Sequence, residues 1–309
     1  MQQKPAMTAA SAGEAPALPA SGLLHGAAAY TIWGFLPIYF KIIEAARPME
    51  ILGHRILWSL LLMMIILAVT GALREFRQTL KNRRVMLAMA GSGALIGANW
   101  TIYIFAVTGG HILGASLGYF LNPLVNVVLG VVVLKEKLRR TQLAAICIAA
   151  AGVIILGLEA LDTLWVSLSL AFSFAFYGLI RKLAPVGPRQ GLAAETLLLS
   201  PFAVIYLFWL TQTGQGEFGR DASLSVMIAF SGIATSVPLL LFASAARQIP
   251  LSTLGLLQYL APSIQFLTGV FVYHETLNKG QVASFGLIWI GLIIFTWDSL
   301  RTVRRARMA

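Results

Sequence analysis

Apolar residues run along this chain in long, nearly unbroken stretches, and the charges collect in the short segments between them. The first stretch begins at Leu23 and the last ends at Trp297. Several are about 20 residues long, the length a helix needs to cross roughly 30 Å of hydrocarbon. The pattern predicts ten membrane-spanning helices near 22–43, 50–70, 86–107, 112–133, 141–157, 162–181, 192–211, 224–246, 252–272 and 281–298. Met1 to Ser21 is rich in Ala and Pro and lacks the basic, apolar and cleavage order of a secretory signal. It reads as a disordered cytoplasmic tail, and 299–309 as a basic cytoplasmic tail.

Composition agrees. Of 309 residues 58% are hydrophobic and 11% charged, with a mean hydropathy of +0.80. A soluble domain carries about 25% charged residues. A soluble enzyme, a secreted disulfide scaffold and a disordered chain are excluded on that ground. A net charge of +11 would suggest nucleic acid as partner for a soluble protein. In a multi-pass chain it reads instead as basic loops held on the cytoplasmic face of the lipid bilayer, with no nucleic-acid partner. Cys147 is the one cysteine; it lies in an apolar run and reads as a small core residue.

With the N-terminus inside and every helix crossing, 18 of the 23 Lys and Arg fall on the cytoplasmic side. That asymmetry predicts an N-in, C-in orientation and an even number of spans.

The chain also repeats itself. Shifted by 139 residues, 123–156 lies over 262–295 without gaps, with 11 of 34 positions identical. Pro123 falls on Pro262, Gly130 on Gly269, Glu136 on Glu275, Gln142 on Gln281 and Gly152 on Gly291. A fainter echo sets Trp33-Gly34 over Tyr177-Gly178. The units are 22–157 and 162–298, each with five helices, so the second enters the membrane in the opposite sense. Inverted repeats of this kind are a design of secondary transporters, with the solute site near the midplane. Pro123 and Pro262, at matched positions, predict broken or kinked helices beside that site. The fold expected is all-α and integral to the membrane, ten helices as two inverted five-helix repeats.

The segments His54-Arg55-x-x-Trp58-Ser59, Asn99-Trp100, Ala115-Ser-Leu-Gly-Tyr-Phe-x-Asn-Pro-Leu-Val-Asn126, Ala171-Phe-Ser-Phe-Ala-Phe-Tyr-Gly-Leu-x-Arg181-Lys182 and Ser252-Thr-Leu-Gly-x-x-Gln-Tyr259 resemble the RarD branch of the EamA family, within the drug/metabolite transporter superfamily. The resemblance spans roughly Leu23 to Ser299. It implies a ten-helix inner-membrane protein built of two inverted units, and a solute transporter usually described as an exporter. The branch name is attached to chloramphenicol.

Ionisable groups within a span cost roughly 2.5–3.5 kcal/mol at the helix centre on insertion scales, so each is a functional candidate. Arg55, beside His54, sits one turn into the second span. It reads either as a guide for an anionic or carboxylate-bearing solute at the outer mouth, or as a snorkelling or gate-closing partner of Glu44 or Glu50. Glu195, one turn into the seventh span, reads as a partner of Arg181 or Lys182 or as the carrier of a coupling proton. No Asp or Glu lies near the predicted midplane of a span.

Nearer the midplane come Trp33, Asn99, Trp100, Tyr103, Tyr119, Asn122, Asn126, Tyr177, Gln258, Tyr259 and Gln265. Aromatic walls with a few amides suit a small amphipathic or aromatic solute. The same amides also serve as glue between membrane helices. The first, third, fourth, sixth, eighth and ninth spans are expected to line the cavity, with the fifth and tenth at the periphery, open to homodimer contacts. Scattered His residues give no metal-ligand spacing, and no phosphate loop or cofactor motif is present, so pumping would draw on a gradient. Gly114-Ala-Ser116-Leu-Gly118 fits a hydrolase pattern but lacks its strand–turn–helix setting. A membrane-embedded enzyme acting on lipid, or a receptor or scaffold that moves nothing, is the competing reading.

Overall fold

The computed structural model describes residues 19–108, 112–158, 161–272 and 279–308. It is all helical: α1 (Ala20–Ile42), α2 (Pro48–Val69), α3 (Leu73–Lys81), α4 (Arg83–Thr108), α5 (Ile112–Val132), α6 (Arg140–Leu158), α7 (Leu164–Leu183), α8 (Pro188–Gln212), α9 (Ala222–Gln248), α10 (Leu251–Gln258), α11 (Leu260–Phe271) and α12 (Lys279–Met308). Among the described residues there are ten spans long and apolar enough to cross a membrane, α10 and α11 together making one. Large apolar side chains such as Leu61, Ile65, Phe202 and Ile293 remain exposed on the outside, where a bilayer would cover them.

The ends of α2 and α8 explain themselves. Each starts on a proline, Pro48 and Pro188, whose fixed φ suits the first turn and whose missing N–H is not needed there. Each stops at a left-handed glycine, Gly71 (φ 67°) and Gly214 (φ 63°). Beyond those glycines the Ala72 and Gln215 amides reach back to the Leu67 and Leu210 carbonyls at 2.8 and 3.1 Å, the bond pattern of a Schellman cap. Asp221 caps α9 by accepting from the Leu224 amide at 2.6 Å.

Four features differ from the sequence-based expectation. The basic segment after the second span is a helix, α3, which turns Phe76 inward and leaves Arg74, Arg77 and Lys81 exposed. Beside Pro262 the ninth span does break, at Tyr259, because Pro262 has no N–H to return to the Gln258 carbonyl. The matched Pro123 breaks nothing: α5 runs through it. Cys147 is exposed on the outer face of α6 rather than in the core, since an apolar run does not say which face meets lipid. Much of the expected C-terminal tail continues as α12. Residues 1–18 of the expected N-terminal tail, and Glu275, lie outside the described residues.

The helices pack in a defined set of pairs. α1 lies on α9 and α4 on α7; α5 lies on α7 and α1 on α11; α2 lies on α9 and α4 on α8. Three further pairs, α2 with α8, α5 with α10 and α6 with α12, complete the bundle. The α5–α10 crossing is close because Gly255 faces the backbone: a Cβ there would stand 2.8 Å from the Pro123 carbonyl oxygen. The α6–α12 contact is equally close at two points. A Cβ on Gly152 would lie 2.7 Å from the Ser284 carbonyl oxygen, and one on Gly291 2.7 Å from that of Ala145. α6 and α12 pack mainly on one another at the edge of the bundle.

Candidate functional site

The end of the bundle at which α1 begins is taken as its base. A cavity of about 140 Å³ lies in the other half, between α1, α2, α4, α5, α7, α9, α10 and α11. An apolar cavity of roughly 150 Å³ accommodates one benzene ring, so this space takes a single aromatic ring without repacking.

Seven of the eleven midplane residues line it: Trp33, Asn99, Trp100, Tyr103, Tyr119, Gln258 and Gln265. Trp33 meets Phe174 edge-on at 5.7 Å, and Tyr103 meets Tyr119 at 5.7 Å, so the walls are interlocked rings. Pro262, predicted as a helix break, also lines the cavity beside the real break.

The other four do not line it. Tyr177 is fully buried, stacked on Phe242 at 5.8 Å. With Tyr30 the pair forms an aromatic plug under the cavity, for Tyr30 lines the cavity floor and meets Phe242 at 6.2 Å. Tyr259 is fully buried in the cluster that joins α5, α6 and α12, at the hinge between α10 and α11. Asn122 donates to the Ala171 carbonyl at 2.7 Å and accepts from Asn126 at 2.9 Å. Asn126 in turn donates to Gln258 Oε1 at 3.1 Å. Asn122 is therefore helix-to-helix glue, tied to the cavity only through Asn126 and Gln258.

The gating candidates fall in two places. Arg55 makes no ion pair with Glu44 or Glu50. Glu44 pairs with Lys41 at 3.5 Å, and Glu50 accepts from the Glu217 and Phe218 amides at 2.8 and 2.9 Å. Arg55 points instead into the cavity, where its Nε donates to Thr235 Oγ1 at 2.8 Å. Its guanidinium carbon lies 4.8 Å from the Trp100 ring centre and 5.3 Å from that of Phe40. His54 stacks on Phe218 of the α8–α9 loop at 4.2 Å, so that loop is fastened across the start of α2. Glu195 pairs with Arg181 at 3.3 Å and accepts from Ser92 Oγ at 2.6 Å, joining α4, α7 and α8 near the base.

Lys182, the other partner considered for Glu195, donates to the Ala246 and Ile249 carbonyls at 3.0 and 2.6 Å, closing the end of α9. Arg247 does the reciprocal service for α7 through the Ala184 and Val186 carbonyls. Glu136 accepts from the Leu251 and Ser252 amides at 2.6 and 2.9 Å and so caps α10. The base is sealed by these polar ties and by the plug above them.

Sequence reasoning missed Thr235, Phe40 and Pro37 as cavity residues. Thr235 carries no signal within its apolar run. Pro37 does: it lacks the N–H that the Trp33 carbonyl would otherwise accept, and Gln265 Nε2 fills that vacancy at 3.1 Å.

Residues 20–158 and 163–297 each match the EamA-like transporter family. A protein named RarD from Streptomyces exfoliatus is 42% identical over 93% of this chain and 91% of its own. Protein RarD of Escherichia coli K12 is 40% identical over 92% and 96%. A solved crystal structure superposes with a TM-score of 0.72 at 18% identity, covering 91% of this chain and 98% of that one. That likeness speaks for the fold.

Proposed function

The chain belongs to the EamA-like transporter family, as a multi-pass protein of the bacterial inner membrane, and from that premise we propose that it is a secondary exporter of a small amphipathic or aromatic solute. The carrier works by alternating access between the inverted five-helix units 22–157 and 162–298. The observation that carries this reading is the ring-walled cavity, closed at one end by a polar and aromatic seal.

Several features support the inverted repeat. Exchanging the two units turns each packing pair into another of the set: α1 on α9 becomes α7 on α4, and α5 on α7 becomes α11 on α1. The Gly152–Ser284 contact becomes Gly291–Ala145 on adding or subtracting the 139-residue shift. α2 and α8 carry the same proline start and glycine stop. The basic residues favour both termini in the cytoplasm. In that orientation the cavity faces outward, Arg181–Glu195 with Ser92 holds the cytoplasmic end shut, and His54 on Phe218 belongs to the outer gate. The outer faces of α6 and α12 are left for lipid or for a second copy.

The test is accumulation of labelled chloramphenicol and of labelled single-ring aromatic solutes in cells with and without the protein, with and without an uncoupler. Expected is lower accumulation of at least one solute, lost in Trp33→Ala while the protein stays in the membrane. Equal accumulation of every solute in both cell types would overturn export.

A further inference from the structure

The cavity holds one charged side chain, and that charge is unanswered. Among the residues that line it there is no Asp or Glu, and Arg55 is the only Lys or Arg. No carboxylate lies within ion-pair distance of Arg55 among the described residues. Its electrostatic neighbours are instead the phenols of Tyr39, Tyr103 and Tyr119. A cation placed within a membrane span and left without a counter-charge is costly, and such residues mark solute or ion pathways.

The way Arg55 is held makes the vacancy specific. Nε is committed to Thr235 at 2.8 Å. The guanidinium rests against Trp100 and Phe40, which fix its plane. The two terminal nitrogens have no hydrogen-bond partner among the described residues. What remains free is the end of the fork, two parallel N–H donors with the spacing of a carboxylate's two oxygens. The same cavity, a space of about 140 Å³ that takes one ring, is lined by Trp33, Tyr103, Tyr119 and Phe174.

We propose that Arg55 is the anion-recognition group of the cavity, and that the solute is a single-ring aromatic carboxylate whose oxygens complete the Arg55 fork while its ring fills the aromatic walls. The proposal rests on the transport reading and narrows it: a neutral solute such as chloramphenicol leaves the cation uncompensated and is a poor fit. Thr235 is a positioning residue, since it holds Nε and thereby aims the other two nitrogens.

The experiment uses the full-length protein, purified in detergent for titration calorimetry and reconstituted into vesicles for counterflow. The probes are 3-phenylpropionate, its neutral match 3-phenylpropionamide, and acetate, which has the charge without the ring. The expected result is 3-phenylpropionate binding about tenfold or more tighter than either of the others, the discrimination a charge-assisted pair gives. Arg55→Gln should remove the preference for acid over amide, and Arg55→Lys, which keeps charge but not the fork, should retain only part of it. The wild-type comparison needs no variant, so a misfolded Arg55→Gln does not spoil the test. Acid and amide binding alike in the wild type, acetate matching 3-phenylpropionate, or no binding by any probe would each overturn the proposal. Acid-selective binding without counterflow would sustain the Arg55 site and count against transport; counterflow of amide as fast as acid would do the reverse.

Discussion

Arg181 and Glu195 are joined across 3.3 Å with both side chains almost wholly buried. The site is made for the guanidinium, since a Cβ on Gly191 would collide with it. A buried pair of this kind adds little net stability, but removing one partner strands the other charge, at a cost of about 3–5 kcal/mol. Glu195→Leu alone should therefore lower the unfolding free energy of the detergent-purified protein by about 3–5 kcal/mol, read from its denaturation curve. Arg181→Met together with Glu195→Leu should recover most of the loss. A double variant as unstable as the single one would show that the pair does more than satisfy its own charges. Single residues were the least legible part of the sequence. For Glu195 the sequence offers Arg181, Lys182 or a coupling proton, and only packing selects Arg181 as the partner. For Arg55 the sequence offers an anionic solute or the nearby Glu44 and Glu50, but gives no sign of its packing neighbours Thr235, Trp100 and Phe40, which come from three other helices. Asn122 and Asn99 looked alike along the chain. Only packing shows that Asn99 lines the cavity and that Asn122 does not.

At the scale of elements, the spans could be read from the apolar runs to within a few residues, because a membrane imposes length and composition together. What interrupts or joins them was harder to see. Pro123 and Pro262 occupy matching positions, yet α5 continues while the ninth span breaks. At Pro123 the neighbouring Gly255 lets α10 approach the α5 backbone closely. α3 escaped notice because its charges hide a narrow apolar stripe of Leu73, Phe76 and Leu80. Glycines make the element-level packing testable. Gly255→Ala introduces a Cβ 2.8 Å from a carbonyl oxygen and should cost about 1–3 kcal/mol by overpacking. Gly286→Ala, in α12 with nothing within 4 Å of the new carbon, should be neutral or stabilising by about 0.5–1 kcal/mol. Thermal unfolding of both variants in one detergent checks the contrast, and equal shifts would contradict the close α5–α10 crossing.

For the whole molecule, the family and the lining spans were legible. The spans expected at the cavity do line it, joined by α2 through Arg55, and α6 and α12 lie at the edge. The uncompensated charge of Arg55 has a last consequence, for the energy source. If an organic anion neutralises Arg55, the loaded carrier reorients without that charge and the empty carrier returns with it. Expelling one negative charge across an interior-negative membrane releases about 2.3 kcal/mol for each 100 mV. Turnover should then follow an imposed potassium diffusion potential in vesicles and persist when the pH gradient is collapsed; a rate that tracked the pH gradient alone would contradict this. The voltage that every respiring cell already maintains would drive the solute out, and the cavity would need no carboxylate to carry a proton.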